Sequence, residues 1–367
     1  MAVNAILEVE EVEQLLRSLL EKGLVDALLA PQSLPAGDSV VQTLVQDPAR
    51  LKSLNIFAPV IPVSSATLLS RLTVTGFGGR VGAVLRSCEM RAFIELVKLQ
   101  QARREDVFII GIDCLGTYEV ADYARLVREG NRPAKDVVAG ARGENFIPRP
   151  GYALRTACRM CERPFPENAD LTIGFVGLEG QILISASDDV AENLSLTPNE
   201  IPQSRREVMA RVVAERTQER DRIFSEFRER VRDLPSLLAE FSTCIRCYNC
   251  MIACPICYCK ECIFRTDTLN HPPAQYRRWA GRKGLIRMPT DTLLFHLTRL
   301  SHMVTSCVGC GMCASACPSR LPVDVVFRAV GERVQALFDY VPGRNLEEEI
   351  PLAAFREDEL KDLGERR

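Results

Sequence analysis

Short apolar runs separated by helical patterns dominate the first half of the chain. The longer runs fall at residues 25–30, 81–85, 107–112 and 171–176. Runs that are apolar at nearly every position are typical of strands buried on both faces of a parallel sheet. Helical patterns at 11–22 and 88–100 lie before and between them, and a shorter run at 181–185 predicts an edge strand. Together these patterns predict an α/β domain with a largely parallel sheet over residues 1–195.

The second half of the chain has a different character. Residues 196–239 are predicted to link two domains, because 204–232 are rich in Arg and Glu with only scattered apolar positions. Such a pattern is typical of a solvated helix. Residues 240–325 hold most of the cysteines, and 326–367 predict a C-terminal helix followed by a tail rich in proline and acidic residues.

Two cysteine runs of the form C-x2-C-x2-C-x3-C-P carry the strongest chemical signal in the chain. They consist of Cys244, Cys247, Cys250 and Cys254, and of Cys307, Cys310, Cys313 and Cys317, each followed by proline. Three thiolates on a tight loop hold three corners of a [4Fe-4S] cubane, and in two-cluster ferredoxins the fourth cysteine ligates the other cluster. Zinc, the alternative, usually takes two C-x2-C pairs without a closing Cys-Pro.

The spacing therefore predicts a ferredoxin-like α+β module over residues 240–325 with two [4Fe-4S] clusters and crossed ligands. The first cluster is expected on Cys244, Cys247, Cys250 and Cys317. The second cluster is expected on Cys307, Cys310, Cys313 and Cys254.

Four further cysteines lie in the predicted α/β domain. Cys88 and Cys114 each follow a predicted strand, and α/β proteins bind ligands at the carboxyl edge of their parallel strands. Cys158 and Cys161 supply a C-x2-C pair from a later loop. The four thiols predict a third [4Fe-4S] site. The alternative is that Cys88 and Cys114 are buried apolar residues and that the pair is incidental.

The remaining three cysteines, Cys257, Cys259 and Cys262, follow the first run closely. Three thiols so near one another indicate a possible further site, but a cubane needs a fourth ligand. That ligand is expected to be the nearby His271, a partner residue or a substrate. The alternative is that these thiols tune the adjacent cluster from outside its own ligands.

Composition narrows the classes of function. The formal net charge is −2 and the basic residues are spread along the chain, which gives no support for binding nucleic acid or an anionic membrane. No apolar run approaches a membrane span, and the N-terminal helix pattern lacks the features of a signal peptide. Fifteen cysteines without an export signal indicate a reducing cytoplasm, where thiols bind metals rather than form disulfides.

Six segments of the chain share their motifs with one known family. They are residues 80–99 with Ser-Cys-Glu, 107–117 with Ile-Asp-Cys, 158–162 before Ala169-Asp170, 254–259, 292–299 and 338–344. These segments resemble the β subunits of coenzyme F420-dependent hydrogenases and formate dehydrogenases. The half that carries the two cysteine runs resembles the formate dehydrogenase branch. One departure is Ser87, where the family usually has proline.

The resemblance implies an FAD-binding α/β domain with an iron–sulfur cluster near the flavin. It also implies hydride exchange with a carrier such as coenzyme F420 or NAD(P). The implied partners are a catalytic formate dehydrogenase or hydrogenase subunit, or heterodisulfide-reductase-like subunits.

The chain has no G-x-G-x-x-G fingerprint for a dinucleotide. Its only glycine-rich loop ahead of a predicted strand contains Gly76, Gly78, Gly79 and Arg80. This loop is the candidate contact for FAD, and an ordinary tight turn is the alternative.

Side chains outside the cysteine groups give weaker signals. Glu89 and Arg91, beside Cys88, are expected to form an ion pair on a helix face or to contact a flavin or cluster. His296 and His302 are expected to pack or to cap a helix rather than to bind metal. No pattern indicates a nucleophile or an acid–base pair, so no catalytic residue is assigned.

Together the sequence predicts a cytoplasmic iron–sulfur flavoprotein that is an electron-transfer subunit of a larger oxidoreductase. Two alternatives stay open. The first is a flavin-free relay module in a heterodisulfide-reductase-like complex. The second is a self-contained reductase that acts at a cluster on Cys257, Cys259 and Cys262.

Overall fold

A seven-stranded sheet forms the centre of the N-terminal half in the computed structural model, which describes residues 2–141, 146–269, 271–284 and 290–353. The strands are β1 (Ala2–Glu8), β2 (Ala27–Ser33), β3 (Val40–Val45), β4 (Val81–Arg86), β5 (Val107–Ile112), β6 (Leu171–Gly174) and β7 (Gln181–Ser187). Their spatial order is β1-β7-β6-β5-β4-β2-β3. The fold is therefore mixed α/β.

The middle of the sheet is parallel, as the buried apolar runs predict. Strands β2, β4, β5 and β6 pair in parallel, with Arg86 opposite Ile112 and Ile112 opposite Ile173. The outer pairs β2–β3, β6–β7 and β1–β7 are antiparallel. The prediction that β7 is an edge strand is wrong, because the N-terminal strand β1 pairs along its outer side.

Helices cover both faces of the sheet and connect its strands. They are α1 (Val12–Glu21), α2 (Ser65–Thr75), α3 (Ser87–Lys98), α4 (Val120–Arg128), α5 (Pro133–Gly140), α6 (Thr156–Arg159) and α7 (Asp188–Leu194). Short 3-10 turns lie at Val9–Glu11 and Pro48–Ser53. Side chains of β4 and β5 alternate between two separate cores: Val84 and Ile110 face one, and Leu85 and Ile109 face the other.

The C-terminal half packs against the second of these sheet faces. Its helices are α8 (Gln203–Arg230), α9 (Leu234–Glu240), α10 (Asn249–Ile252), α11 (Pro273–Lys283), α12 (Thr290–Met303), α13 (Met312–Ser315) and α14 (Val323–Leu337), with 3-10 turns at Ile263–Arg265 and Asp267–Leu269. Phe327 of α14 and Phe224 of α8 belong to the same core as Leu85 and Ile109. The two cysteine runs are thereby held directly beneath the parallel strands.

The α+β description of the cysteine-rich module needs correction. Within the described parts of residues 240–325, the structure contains helices and turns but no strand. The cysteine runs form tight loops followed by one helical turn, and this backbone has no extended segment that pairs with another. The tail beyond residue 353 lies outside the described residues, so its predicted character is not assessed.

Helix α8 is also not a solvated linker. One face of it is buried along its whole length, and the buried residues are Arg205, Val208, Val212, Arg216, Ile223, Phe224 and Phe227. Its many arginines hide this face in the sequence, because two of them lie on the buried side. The domain boundaries remain a prediction. Across the described parts of the chain, no helix has the length and apolar character to cross a membrane.

Candidate metal centres

The first cysteine run forms a loop that surrounds a small cavity. Arg246 and Tyr248 adopt left-handed backbone conformations, with φ of 55° and 61°, which curl the run before α10 begins. The cysteines that line the cavity are Cys244, Cys247, Cys250 and Cys317. Three of these thiols come from the first run and one from the end of the second, as the predicted crossing requires.

A second cavity lies beside the second run. The cysteines that line it are Cys254, Cys307, Cys310 and Cys313. Gly311, with φ of 71°, brings this loop against Ala157 of α6, and a side chain at Gly311 would collide with the Ala157 methyl group. The structure thus brings together both predicted sets of four thiols and holds the second set against the α/β domain.

The four cysteines of the α/β domain also converge at one edge of the sheet. Cys88 is the second residue of α3, directly after β4, and Cys114 lies two positions beyond β5. Burial raises the pKa of Cys88 well above its ordinary value, with further contributions from the charges of Glu89, Cys310, Cys114 and Cys161. Burial likewise raises the pKa of Cys114 to about 11, and Cys158 adds to that shift.

This inner group adjoins the second cavity. The charge of Cys310 contributes to the raised pKa of Cys88, so the two thiols lie within electrostatic reach of each other. Cys158 and Cys161 flank the end of α6, the helix against which the second run packs. The inner group therefore adjoins the second group, and the second and outer groups share the two cysteine runs between them.

Burial makes the thiolate form unfavourable at several of these cysteines. It raises the pKa of Cys250 to about 11 and that of Cys310 to about 12. Buried thiolates therefore need compensating positive charge or metal. The structure supplies the positive charge through buried arginines, which the sequence reasoning missed as site residues.

Arg299 of α12 is one of these arginines, with 3% of its surface exposed. Its Nη1 donates to Cys250 Sγ at 3.2 Å and its Nη2 to the Cys250 carbonyl oxygen at 3.0 Å. The guanidinium lies 5.5 Å from the ring of Phe295 and 5.1 Å from that of Phe327, which are cation–π distances. Its charge opposes the burial-induced rise in the pKa of both Cys250 and Cys257.

His296 also contacts the first group. Its Nε2 lies 3.4 Å from Cys244 Sγ, and its ring stacks on Phe241 with centroids 4.0 Å apart. Burial and, to a smaller extent, the charge of Arg299 lower its pKa to about 4, so the ring is neutral at neutral pH. His296 packs as the sequence predicts, yet it also offers a polar contact to a cluster-type thiol.

Helix α8 supplies two arginines to the inner group. Arg205 forms a bidentate pair with Asp113, with nitrogen–oxygen distances of 2.7 and 3.1 Å, and Asp113 also accepts from the backbone N–H of Phe175. Arg216 donates from Nη1 to the Cys114 carbonyl oxygen at 3.2 Å. Both contacts fix the segment at the end of β5. The sequence contained a signal for these two site residues, because both arginines lie on the same helical face as the apolar Val208 and Val212.

Glu89 and Arg91 do not pair with each other among the described contacts, but Glu89 forms an ion pair with Arg86, whose Nη1 lies 3.8 Å from its Oε2. Glu89 also accepts from the backbone N–H and hydroxyl of Ser65, both at 2.8 Å. Arg91 donates to the carbonyl oxygen of Val308 at 2.9 Å. It thereby ties α3 to the second cysteine run. The reason for the difference is that both side chains are buried, facing other elements rather than solvent.

The glycine-rich loop lies at the opposite edge of the sheet. Gly76 caps the end of α2 and Gly78 has φ of 82°, and both conformations favour glycine. Asp26 accepts from the N–H of Arg80 at 2.7 Å, and a side chain at Gly79 would collide with Asp26. These observations fit a helix-to-strand turn before β4. A flavin at this loop remains a prediction.

The three remaining cysteines lie along a third and much larger cavity of about 840 Å³. Cys257, Cys259 and Cys262 all line it, together with residues of α2 and α12. Burial raises the pKa of Cys257 to about 11, with further contributions from Cys254, Cys259 and Cys262. The thiol of Cys259 is exposed, whereas those of Cys257 and Cys262 are half-buried.

Among the residues that the structure describes, no three His, Cys, Asp or Glu side chains stand close enough to hold one ion. Ligands of one zinc ion all reach the same atom, at about 2.3 Å for sulfur. The four ligands of a cubane bind four different iron atoms, so their sulfurs stand farther apart.

Two protein families match adjoining parts of the chain. Residues 78–231 match the family described as the C terminus of the coenzyme F420 hydrogenase/dehydrogenase beta subunit. Residues 240–321 match the 4Fe-4S dicluster domain family. The first match contains the inner group of cysteines, and the second contains both C-x2-C-x2-C-x3-C-P runs.

Relatives align over nearly the whole chain. Subunit beta of the F420-dependent formate dehydrogenase of Methanocaldococcus jannaschii is 25% identical over 366 residues, which covers 90% of this chain and 91% of that protein. Subunit beta of F420-dependent formate dehydrogenase 1 of Methanococcus maripaludis is 27% identical over 403 residues, covering 95% of each.

One solved structure is more distant. A chain of the F420-reducing [NiFe] hydrogenase complex from Methanosarcina barkeri, in a xenon derivative, is 14% identical with a TM-score of 0.46. The alignment covers 62% of this chain and 91% of that one. A likeness at this level supports no argument about fold or function.

The comparisons agree with the family resemblance and with the two cysteine runs. The relatives are subunits of oxidoreductases, so the expectation of an oxidoreductase subunit is confirmed. Residues 78–231 thus match the beta-subunit family of coenzyme F420 hydrogenase/dehydrogenase and residues 240–321 the 4Fe-4S dicluster domain family, and the chain is similar over nearly its whole length to beta subunits of F420-dependent formate dehydrogenases.

Proposed function

We propose that this chain conducts electrons through three [4Fe-4S] clusters, as the β subunit of a formate dehydrogenase or hydrogenase type complex. The inner cluster would be held by Cys88, Cys114, Cys158 and Cys161. The second would be held by Cys254, Cys307, Cys310 and Cys313, and the outer by Cys244, Cys247, Cys250 and Cys317. The observation that carries the proposal is that each of two cavities is lined by three thiols of one run and one of the other.

Buried donors around the cysteine groups support this proposal. Arg299 Nε, Arg91 Nε and Arg216 Nη2 are buried and have no hydrogen-bond partner among the described residues. A buried donor without a partner is costly, and it becomes favourable beside a buried anionic group. Thiol-only ligand sets with arginines beside them fit an anionic iron–sulfur cluster.

The chain's own residues hold the path together. Arg91 ties α3, which carries Cys88, to Val308 of the second run. Arg328 of α14 pairs with Glu162, next to Cys161, with a nitrogen–oxygen distance of 2.6 Å. These contacts fix the distance between the inner and second groups, which a one-electron path requires. Iron–sulfur clusters, when bound, supply one-electron redox chemistry that no amino-acid side chain here offers.

The flavin and the hydride carrier belong to the same proposal. The relatives are named F420-dependent formate dehydrogenase subunits, and a flavin is the usual converter between hydride and single-electron transfer. A partner catalytic subunit would carry the formate or hydrogen chemistry. Protein purified without oxygen and treated with acid should release FAD. Full clusters without released flavin would instead favour a flavin-free relay module.

Removal of one inner ligand tests the cluster assignment. Cys158→Ser is expected to lose about four iron atoms per chain, the content of one cubane, with matching loss of labile sulfide. Thr117→Val is the matched control, because Thr117 Oγ1 lies 3.3 Å from Cys158 Sγ but is not a ligand. Unchanged iron in Cys158→Ser, with full occupancy in the parent protein, would contradict the inner cluster.

A further inference from the structure

The cavity of about 840 Å³ beside Cys257, Cys259 and Cys262 has no role in the three-cluster path. It is enclosed by α2, by α12 and by the loop that carries these cysteines. A volume of this size is in the range of small-molecule sites. The cavity therefore offers space for a ligand, and its lining includes three thiols that do not belong to the two ferredoxin-type groups.

The three thiols converge on one another and on the second group. Cys257 and Cys262 both pack against the small core that contains Cys250 and Met251, and Cys254, a proposed ligand of the second cluster, lines the same cavity as all three thiols. Cys262 Sγ contacts Met251 Sδ at 4.0 Å, which turns the thiol inward from its loop. Any group held here would lie next to the second cluster.

The charge around the cavity is mostly positive. Arg71, Lys260, Arg265 and Arg299 line it, against the single carboxylate of Glu261. This positive charge would balance an anionic cluster held beside the cavity. The same cations would attract a small anionic ligand that enters the cavity.

We propose that Cys257, Cys259 and Cys262 hold a further [4Fe-4S] cluster whose fourth iron faces the cavity and accepts a soft anionic ligand, such as a thiolate. The inference rests on the proposed function, because electrons reach this cluster from the second one. Three protein thiols leave one iron of a cubane open, and iron–sulfur centres favour soft ligands. The site would then be the place where a small redox-active thiol exchanges electrons with the clusters.

An iron count on the full chain, purified without oxygen, tests the presence of this cluster. The triple variant with Cys257, Cys259 and Cys262 changed to serine should lose about four iron atoms and keep the remaining EPR signals. Ser70→Ala is the control, because Ser70 lines the same cavity without a thiol. Unchanged iron in the triple variant, or stoichiometric zinc in the parent protein, would overturn the proposal.

A second variant covers the case in which the triple variant misfolds. Cys259→Ser changes an exposed thiol in a loop, so folding should persist. It should still lose iron, since two remaining thiols hold a cubane poorly. Full iron retention in Cys259→Ser would overturn the proposal on its own.

Cyanide tests the open iron. Added to the reduced parent protein, cyanide should change one set of EPR signals, and it should leave the spectrum of the triple variant unaltered. No change in the parent protein would contradict the open position. This test does not depend on the inner cluster, because the iron content of Cys158→Ser tests that cluster separately. The iron loss expected in the triple variant and the iron loss expected in Cys158→Ser can each fail without the other.

Discussion

Buried arginines are the residues on which the account depends most. Arg205 has 4% of its surface exposed, Arg216 and Arg299 have 3%, and each contacts a cysteine or the segment that carries one. A buried charge is tolerated only with a partner. Here the partners are a carboxylate, backbone carbonyl oxygens and thiols. The residues that hold the cysteine groups therefore lie in elements far away in the sequence.

Breaking the buried pair of Arg205 and Asp113 should be costly. Arg205→Gln leaves the Asp113 carboxylate buried without its cation, and the free energy of unfolding should fall by about 3–5 kcal/mol. Urea denaturation measures this change. The neighbouring Arg206→Gln is the control, because Arg206 is exposed. Equal stabilities of the two variants would contradict a structural role for the pair.

Arg299 should raise the reduction potential of the outer cluster. Its hydrogen bond to Cys250 Sγ and its charge favour the more negative, reduced state. Arg299→Gln should lower the midpoint potential in an EPR-monitored redox titration. Arg299→Lys should shift it less, since the charge remains while the two-pronged contact is lost. The exposed Arg277→Gln should leave the potential unchanged, and equal potentials in all three variants would refute the role.

At the scale of elements, α8 joins the two halves of the molecule. Its first turns hold the end of β5 through Arg205, and its last turns pack Phe224 and Phe227 into the core beneath the sheet. The C-terminal segment adds a second connection, because Tyr340 donates to the Glu95 carboxylate of α3 at 2.5 Å. The position of the cysteine runs against the sheet follows from these packed elements.

A substitution in α8 distinguishes a packed helix from a solvated one. Phe224→Ala removes a side chain that is 2% exposed, and it should destabilise the protein by about 3–5 kcal/mol. Arg228→Ala, on the exposed side of the same helix, should stay within about 0.5 kcal/mol of the parent. Thermal or urea unfolding measures both. A small effect of Phe224→Ala would restore the linker interpretation.

The sequence predicts those elements whose burial is complete. Strands β4 and β5 are apolar at both faces, so their type and parallel pairing follow from the pattern. The pattern does not predict strand β3, because Gln42 and Thr43 interrupt it and much of it is half-exposed. The buried face of α8 is obscured by Arg205 and Arg216, whose partners come from distant segments.

The sequence likewise predicts one part of the candidate site and not the other. Local spacing is enough to predict the crossed ligand sets of the two runs, because three thiols on one loop reach only three corners of a cubane. The placement of Cys88 beside the second group depends on the contact that Arg91 of α3 makes with Val308 of the second run. No local pattern encodes that contact, so only the tertiary structure could provide it.

The whole molecule joins an α/β domain to a cysteine-rich module on one face of its sheet. This arrangement puts the inner group at the carboxyl edge of β4 and β5, where α/β proteins bind their ligands. The second group adjoins it, and the outer group shares the two cysteine runs with the second. We propose that electrons follow this order, in either direction.

The anomalous scattering of iron tests this arrangement most directly. Crystals of the full chain grown without oxygen, measured on both sides of the iron absorption edge, should show a four-iron peak at each of three sites. Those sites are the inner group with Cys88, the second group with Cys310 and the outer group with Cys250. Zinc at these positions, or no iron between Cys88, Cys114, Cys158 and Cys161, would contradict the proposed electron path.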